Sequence, residues 1–219
     1  MAIGTDSRIG NKFLNSGPGF GGSCFKKDIL NLVYLSEFFG LPEVASFWES
    51  VINLNNWQQK RISKIIVRKL FGTLSNKKIV ILGFAFKANT NDTRESPAIS
   101  ICKDLLEEGA YLTIHDPKVS KDQISIDLDM EPIKESINKP DNFTKREGQW
   151  SYVFDFNSAF KGADAVVILT EWSDYINIKW SEISKKMRRP SWVFDTRSIT
   201  NISEIKESKI NIWRIGDGM

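Results

Sequence analysis

The chain has 219 residues, 41% hydrophobic and 26% charged, with a formal net charge of +3. That length carries one large domain or two modest ones with a sizeable core. Its Lys and Arg are interleaved with Asp and Glu, so the small basic excess excludes an argument for nucleic acid, and no run approaches the ~18 apolar residues of a membrane span.

The two cysteines, Cys24 and Cys102, have no metal-like spacing, so no metal is expected. So few thiols fit a reducing compartment, and the start MAIGTDSRIGNKF lacks an apolar signal core. A cytoplasmic location is therefore expected. The chain opens directly into loop-like residues, as if cut from a longer one.

Residues 1–23 are rich in Gly, Ser and Asn and predict a loop. From 25 to 39, Ile29, Leu32, Val33, Leu35 and Phe38/Phe39 recur at helical spacing. Gly40 is placed to cap this helix and Pro42 to start the next. The second helix, 42–71, carries Val44, Phe47, Trp48, Val51, Leu54, Ile62, Ile65, Ile66 and Leu70. About 30 residues at ~1.5 Å each span roughly 45 Å. A helix of that length bridges two domains or forms a dimer core. The alternative is two helices broken near 53–56.

The period then changes. Continuous apolar runs at 78–83, 111–115 and 163–169 predict buried parallel strands, followed by strands at 192–194 and 210–213. Helices are expected over 97–108, with Ser96 as N-cap and Pro97 in the first turn, over 180–188 and over 202–207. Residues 129–150 are polar and without period, which predicts a surface insertion or mobile loop. Alternating strands and helices imply an α/β fold: a helical region over 1–76, then a doubly wound, Rossmann-like parallel sheet over 77–219.

The run Gly17-Pro18-Gly19-Phe20-Gly21-Gly22 has the form G-x-G-x-x-G, but no strand precedes it and no acidic residue closes a second strand about 20 positions later. A dinucleotide turn is excluded there. Such glycines expose backbone N–H groups and let a ligand approach closely; the plain alternative is a flexible linker. Cys24 follows at the start of a helix, where the dipole favours a thiolate, and Lys26 and Lys27 act in the same sense. Asp28, one turn on, opposes that effect but could relay protons or orient a water. The bland alternative for Cys24 is an inert buried thiol, which is also the reading for Cys102.

A second cluster follows the first strand: Phe86 and Lys87, then Asn91-Asp92-Thr93-Arg94-Glu95-Ser96-Pro97. Loops at the carboxyl ends of parallel strands bind ligands in open α/β sheets. Lys87, Arg94 and the helix start at Ser96 suit a phosphate, and Arg197 emerges after strand 192–194 on the same edge. The plain alternative is a solvated charged loop. His115, the sole histidine, ends a strand and reads as structural or supporting.

At RIGNKFLNSGPGFGGSCFKKD, GFAFKANTNDTRESP, HDP, GADAVVILTEW and FDTR, in that order, the chain resembles the UDP-glucose 6-dehydrogenase family over nearly its whole length. The block GFAFK…DTRESP is shared with GDP-mannose and UDP-N-acetylmannosamine dehydrogenases. The resemblance implies oxidation of UDP-glucose to UDP-glucuronate by two NAD⁺, with Cys24 as nucleophile through a thiohemiacetal and a thioester, and Asp28 handling water and proton. It implies substrate contacts from Phe13, Leu14, Asn15, Ser16, Gly17, Pro18, Gly19, Phe20, Gly21, Phe86, Lys87 and Arg197. It also implies Arg8 reaching a neighbouring subunit's site, and cofactor contacts from Cys24, Phe25, Lys26, Lys27 and Arg94. The 77–219 region would be the UDP-binding domain, and dimerisation would run through the helix 42–71.

The sequence departs from the family in lacking its amino-terminal NAD-binding domain, together with the lysine, glutamate, threonine and asparagine that complete the active site. The chain by itself is expected not to turn over. The alternatives are a UDP-sugar-binding or dimerisation module and a dehydrogenase of another nucleotide sugar such as GDP-mannose.

Overall fold

The computed structural model describes residues 2–10, 14–133 and 148–217. After a short 3-10 turn at Ala2–Thr5, the chain forms two helices, α1 (Phe25–Phe38) and α2 (Pro42–Lys69). α1 ends as its sequence requires. Gly40 takes a left-handed φ of 72°, its N–H donates to Glu37 O at 3.0 Å, and Leu41 N–H donates to Ser36 O at 2.8 Å. These paired bonds stop the helix and start the turn into α2.

α2 runs 28 residues without a break. Asn55 does not interrupt it because its amide bonds Phe20 instead of competing for its own helix backbone. Ile62, Ile65, Ile66 and Leu70 anchor the C-terminal half of α2 in the same core as the sheet, so the helical region and the α/β region share one apolar interior.

The α/β region runs β1 (Lys78–Leu82), α3 (Pro97–Glu107), β2 (Tyr111–His115), α4 (Lys121–Leu128) and β3 (Gln149–Tyr152). It continues through α5 (Phe156–Ala159), β4 (Ala165–Ile168), α6 (Ser173–Ile176), α7 (Trp180–Ile183), β5 (Trp192–Asp195), α8 (Ile202–Glu207) and β6 (Asn211–Arg214). All six strands pair in parallel in the order β3-β2-β1-β4-β5-β6. The order reverses between β1 and β4, and ligands of such sheets bind at that point, beyond the carboxyl ends. Registers Leu82↔His115, Leu82↔Ile168 and Ile168↔Asp195 bring Gly83, Asp116, Leu169 and Thr196 to one edge.

Three expectations need correction. The aperiodic stretch 129–150 ends in the edge strand β3, which pairs Tyr111↔Gln149. Only four residues long, it offers too little alternation to read; residues 134–147 lie outside the described ones. The helix expected over 180–188 is the single turn α7, because Lys185, Lys186, Arg188 and Arg189 supply no apolar stripe to continue it. The short helices α4, α5 and α6 were not expected at all.

Candidate active site

The glycine loop crosses α2 as an extended segment fixed by side-chain amides. Phe20 N–H donates to Asn55 Oδ1 at 2.8 Å, and Asn55 Nδ2 donates to Phe20 O at 3.2 Å. Gln58 Nε2 donates to Gly17 O at 3.2 Å. On the other side, Gly22 N–H donates to Arg94 O at 2.8 Å. The fit is too close for side chains. A Cβ at Gly19 would stand 2.7 Å from Asn55 Oδ1, and one at Gly21 would stand 2.5 Å from Glu95 O. The segment is therefore a rigid seam between α2 and the loop after β1, and the flexible-linker reading fails.

Cys24 sits at the N-cap of α1, exposed, with Ser23 Oγ 3.8 Å from its sulfur. Asp28 N–H donates to Cys24 O at 2.8 Å, which closes the first helical turn and leaves both side chains exposed at one end of α1. Cys24 makes no side-chain cap, so its thiol is free of a structural duty. Phe25 packs edge-on to Phe20 at 4.7 Å. Lys26 has a partner of its own: its Nζ pairs with Glu95 at 2.7 Å. That ion pair ties the start of α1 to the loop after β1. Lys27 is exposed.

The cations at the carboxyl edge are held with different stiffness. Arg197 is mostly buried. Its Nε donates to Leu169 O at 2.8 Å and its Nη2 to Phe86 O at 3.0 Å. Burial lowers its pKa, and Glu171 opposes that. Glu171 Oε2 lies 3.1 Å from Nε but takes no hydrogen bond, because that N–H is given to Leu169. The remaining edge of the guanidinium faces the loop, with Nη1 3.4 Å from where a Gly17 Cβ would be. A guanidinium fixed by two carbonyls, with one edge turned to a glycine backbone, has the geometry to take an anion. Lys87 is exposed, its Nζ 5.3 Å from the centre of the Phe86 ring. Phe86 in turn covers Gly21 and Gly22.

Arg94 is exposed and paired with Asp92 at 2.7 Å, which lowers the carboxyl's pKa and raises the guanidinium's. Cys24 is near enough to add a small raising effect on Arg94. Arg8 is 87% exposed and paired with Asp6 at 2.7 Å. Leu14, Asn15 and Ser16 are exposed, and Pro18 is buried. Phe13 lies outside the described residues.

Two aspartates that the sequence shows only as parts of the HDP and FDTR motifs build this edge. Asp116 is buried. Its Oδ2 accepts Phe84 N–H at 2.7 Å, Ala85 N–H at 3.0 Å and Trp172 Nε1–H at 3.2 Å. Asp195 accepts Arg197 N–H at 3.0 Å and both Thr200 N–H and Oγ1–H. The signal for each was present: an acidic residue directly at a strand end, where loop amides need an acceptor. Asp116 also settles a question of chemistry. It consumes the amides of the first βα turn, the place where a dinucleotide fold cradles its pyrophosphate. The described residues therefore do not fit a complete NAD cradle.

The UDP-binding-domain profile of the UDP-glucose/GDP-mannose dehydrogenase family matches residues 80–202, and the profile of its central domain matches residues 1–57. UDP-glucose 6-dehydrogenase 2 of Arabidopsis thaliana is 47% identical over 221 residues, covering 98% of this chain and 45% of that protein. UDP-glucose 6-dehydrogenase of Drosophila melanogaster is 46% identical, covering 98% and 44%. Among solved structures, a UDP-glucose dehydrogenase from Pyrobaculum islandicum superposes with a TM-score of 0.71 at 28% identity, over 97% of this chain and 41% of that one. The chain thus spans about half the length of the relatives it matches. The six-stranded sheet, the glycine seam with Cys24 at its end and the matching profiles lead to one assignment: the chain belongs to the UDP-glucose/GDP-mannose dehydrogenase family.

Proposed function

We propose that the chain forms the sugar-nucleotide half of a UDP-glucose 6-dehydrogenase. The observation that carries this is the approach of Arg197 to Gly17, which makes a cationic seat of the sheet edge and the glycine seam together. The diphosphate lies against Arg197 and Lys87, and the hexose extends along the seam toward Cys24. Arg8 completes the seat of a second subunit. The exposed apolar residues Tyr34, Phe38, Phe39, Val44 and Phe47 of α1 and α2 favour that dimer.

Cys24 acts as nucleophile. Its sulfur adds to the C6 aldehyde, the carbonyl oxygen takes up the proton, and the resulting thiohemiacetal keeps a reactive aldehyde from escaping. Oxidised to the thioester, this adduct is cleaved by water, which returns the thiol and releases UDP-glucuronate. Asp28, exposed at the same end of α1, takes the proton from that water. Arg94 and the first turn of α1 would hold one edge of NAD⁺, which would supply the hydride acceptor for both oxidations. The 219 residues alone, which offer only one edge of that cofactor's site, bind UDP-sugar without turnover. We place the protein in the cytoplasm, where its two free cysteines stay reduced.

Protection from alkylation tests this reading. UDP-glucose slows labelling of Cys24, while GDP-mannose and free glucose at the same concentration do not. Equal labelling with and without UDP-glucose contradicts it, and protection by GDP-mannose alone reassigns the substrate.

A further inference from the structure

The C-terminal half of α2 carries charge that this site does not use. Residues 50–69 contain five Lys or Arg and no Asp or Glu, in a chain of net charge +3. Four of them, Lys60, Arg61, Lys64 and Arg68, line a cleft of about 590 Å³ between α2 and β6. Arg214 lines it from β6, and Trp57 and Trp213 add indole surface.

Arg214 is satisfied by Asp217 at 2.9 Å. Arg61 lies 5.7 Å from the centre of the Trp57 ring and gives one N–H to Gln58 Oε1 at 3.3 Å. Among the described residues, Lys60, Lys64 and Arg68 form no ion pair. Like charges three or four residues apart on a helix repel, so Lys60, Lys64 and Arg68 destabilise α2 until a counter-charge arrives. The cleft has the size of a small-molecule site. Guanidinium and ammonium groups suit phosphate oxygens, and exposed indole suits a planar ring. Lys87, Arg197 and Cys24 are not among its lining residues, and it adjoins the glycine seam at Gly216, where an added Cβ would stand 3.5 Å from Ser16 Oγ.

We infer that this cleft binds an aromatic compound bearing two or more phosphate groups, a nucleoside di- or triphosphate in class, at a site separate from the sugar-nucleotide seat. The phosphates meet Lys60, Lys64 and Arg68, and the ring rests on Trp57.

Calorimetric titration of the 219-residue chain with ADP and with inorganic tripolyphosphate, at low ionic strength, tests this. Both ligands should bind the unmodified chain. The double variant Lys64→Glu/Arg68→Glu, at two exposed positions, should weaken this binding at least about tenfold with its melting temperature retained. Trp57→Ala should weaken ADP and leave tripolyphosphate unchanged. A remote double reversal, Lys118→Glu/Lys121→Glu, should leave both ligands unaffected. Affinities within about twofold after reversal at 64 and 68, or an equal loss in the remote variant, would overturn the inference. So would a change of oligomeric state on reversal at 64 and 68, which would make the cleft an interface between copies.

Discussion

The amide of Asn55 grips both backbone groups of Phe20, accepting its N–H at 2.8 Å and donating to its carbonyl at 3.2 Å. One side chain on a long helix thereby does what a neighbouring β-strand would do for an extended segment. Asn55→Ala removes both bonds, together about 1–3 kcal/mol. UDP-glucose affinity should fall by about 5- to 100-fold, as the seam no longer holds its shape. Asn55→Asp keeps the acceptor and should fall between the two. Titration calorimetry on the three proteins checks the order, and an Asn55→Ala affinity equal to that of the parent refutes it.

Gly21 is the tightest point of the seam: the nearest neighbours of an added Cβ would be Glu95 O at 2.5 Å and Phe86 Cβ at 2.9 Å. Neither can swing away. Gly21→Ala should therefore cost about 1–3 kcal/mol of stability and separate the loop from Phe86. Gly40→Ala, with open space around its Cβ but a left-handed φ of 72°, should cost only about 1 kcal/mol. Denaturant unfolding of both variants measures the difference.

The two thiols should part company toward an alkylating reagent. Cys24 is exposed and Cys102 has no exposed surface. Burial also pushes the Cys102 thiol well up, beyond the range where thiolate forms at neutral pH. At pH 7.5, mass spectrometry should find Cys24 labelled at least about tenfold faster. Equal rates would mean that the α3 core opens as readily as the end of α1.

His115 predicts a pH response. Burial lowers its pKa, partly opposed by Asp116. With Tyr175 Oη donating to His115 O at 3.1 Å, the 2.8 Å contact is Nδ1–H donating to Tyr175. The fold thus favours neutral histidine. That contribution is present above the unfolded pKa of about 6.5 and is lost as pH falls toward the lower folded value. The melting temperature should drop between pH 7 and 5, and less steeply in His115→Asn. Parallel profiles would exclude His115 as the cause.

Much of this was legible in the residues. Apolar runs such as Ile79-Val80-Ile81-Leu82 are buried on both faces and need no partner to be recognised, and Gly40 and Ser96 announce helix ends through backbone chemistry alone. Cys24 and the order of motifs pointed to the candidate site. What stayed hidden depends on tertiary partners. The alternative of a helix broken near 53–56 stayed open because Asn55's partner, Phe20, lies 35 residues away. The ion pair of Lys26 could not be read because Glu95 lies 69 residues away. β3 carries only four residues at a sheet edge, too short a period to detect.

The central claim is that Lys87 and Arg197 seat the diphosphate of a UDP-sugar. Lys87 is the cleaner probe, because Arg197 also holds two backbone carbonyls. Titration of UDP-glucose into the chain and into Lys87→Ala decides it. The account predicts binding that weakens at least about tenfold in the variant with no change in melting temperature, and a preference for UDP-glucose over GDP-mannose. An unchanged dissociation constant, or preference for the guanine nucleotide, would contradict it.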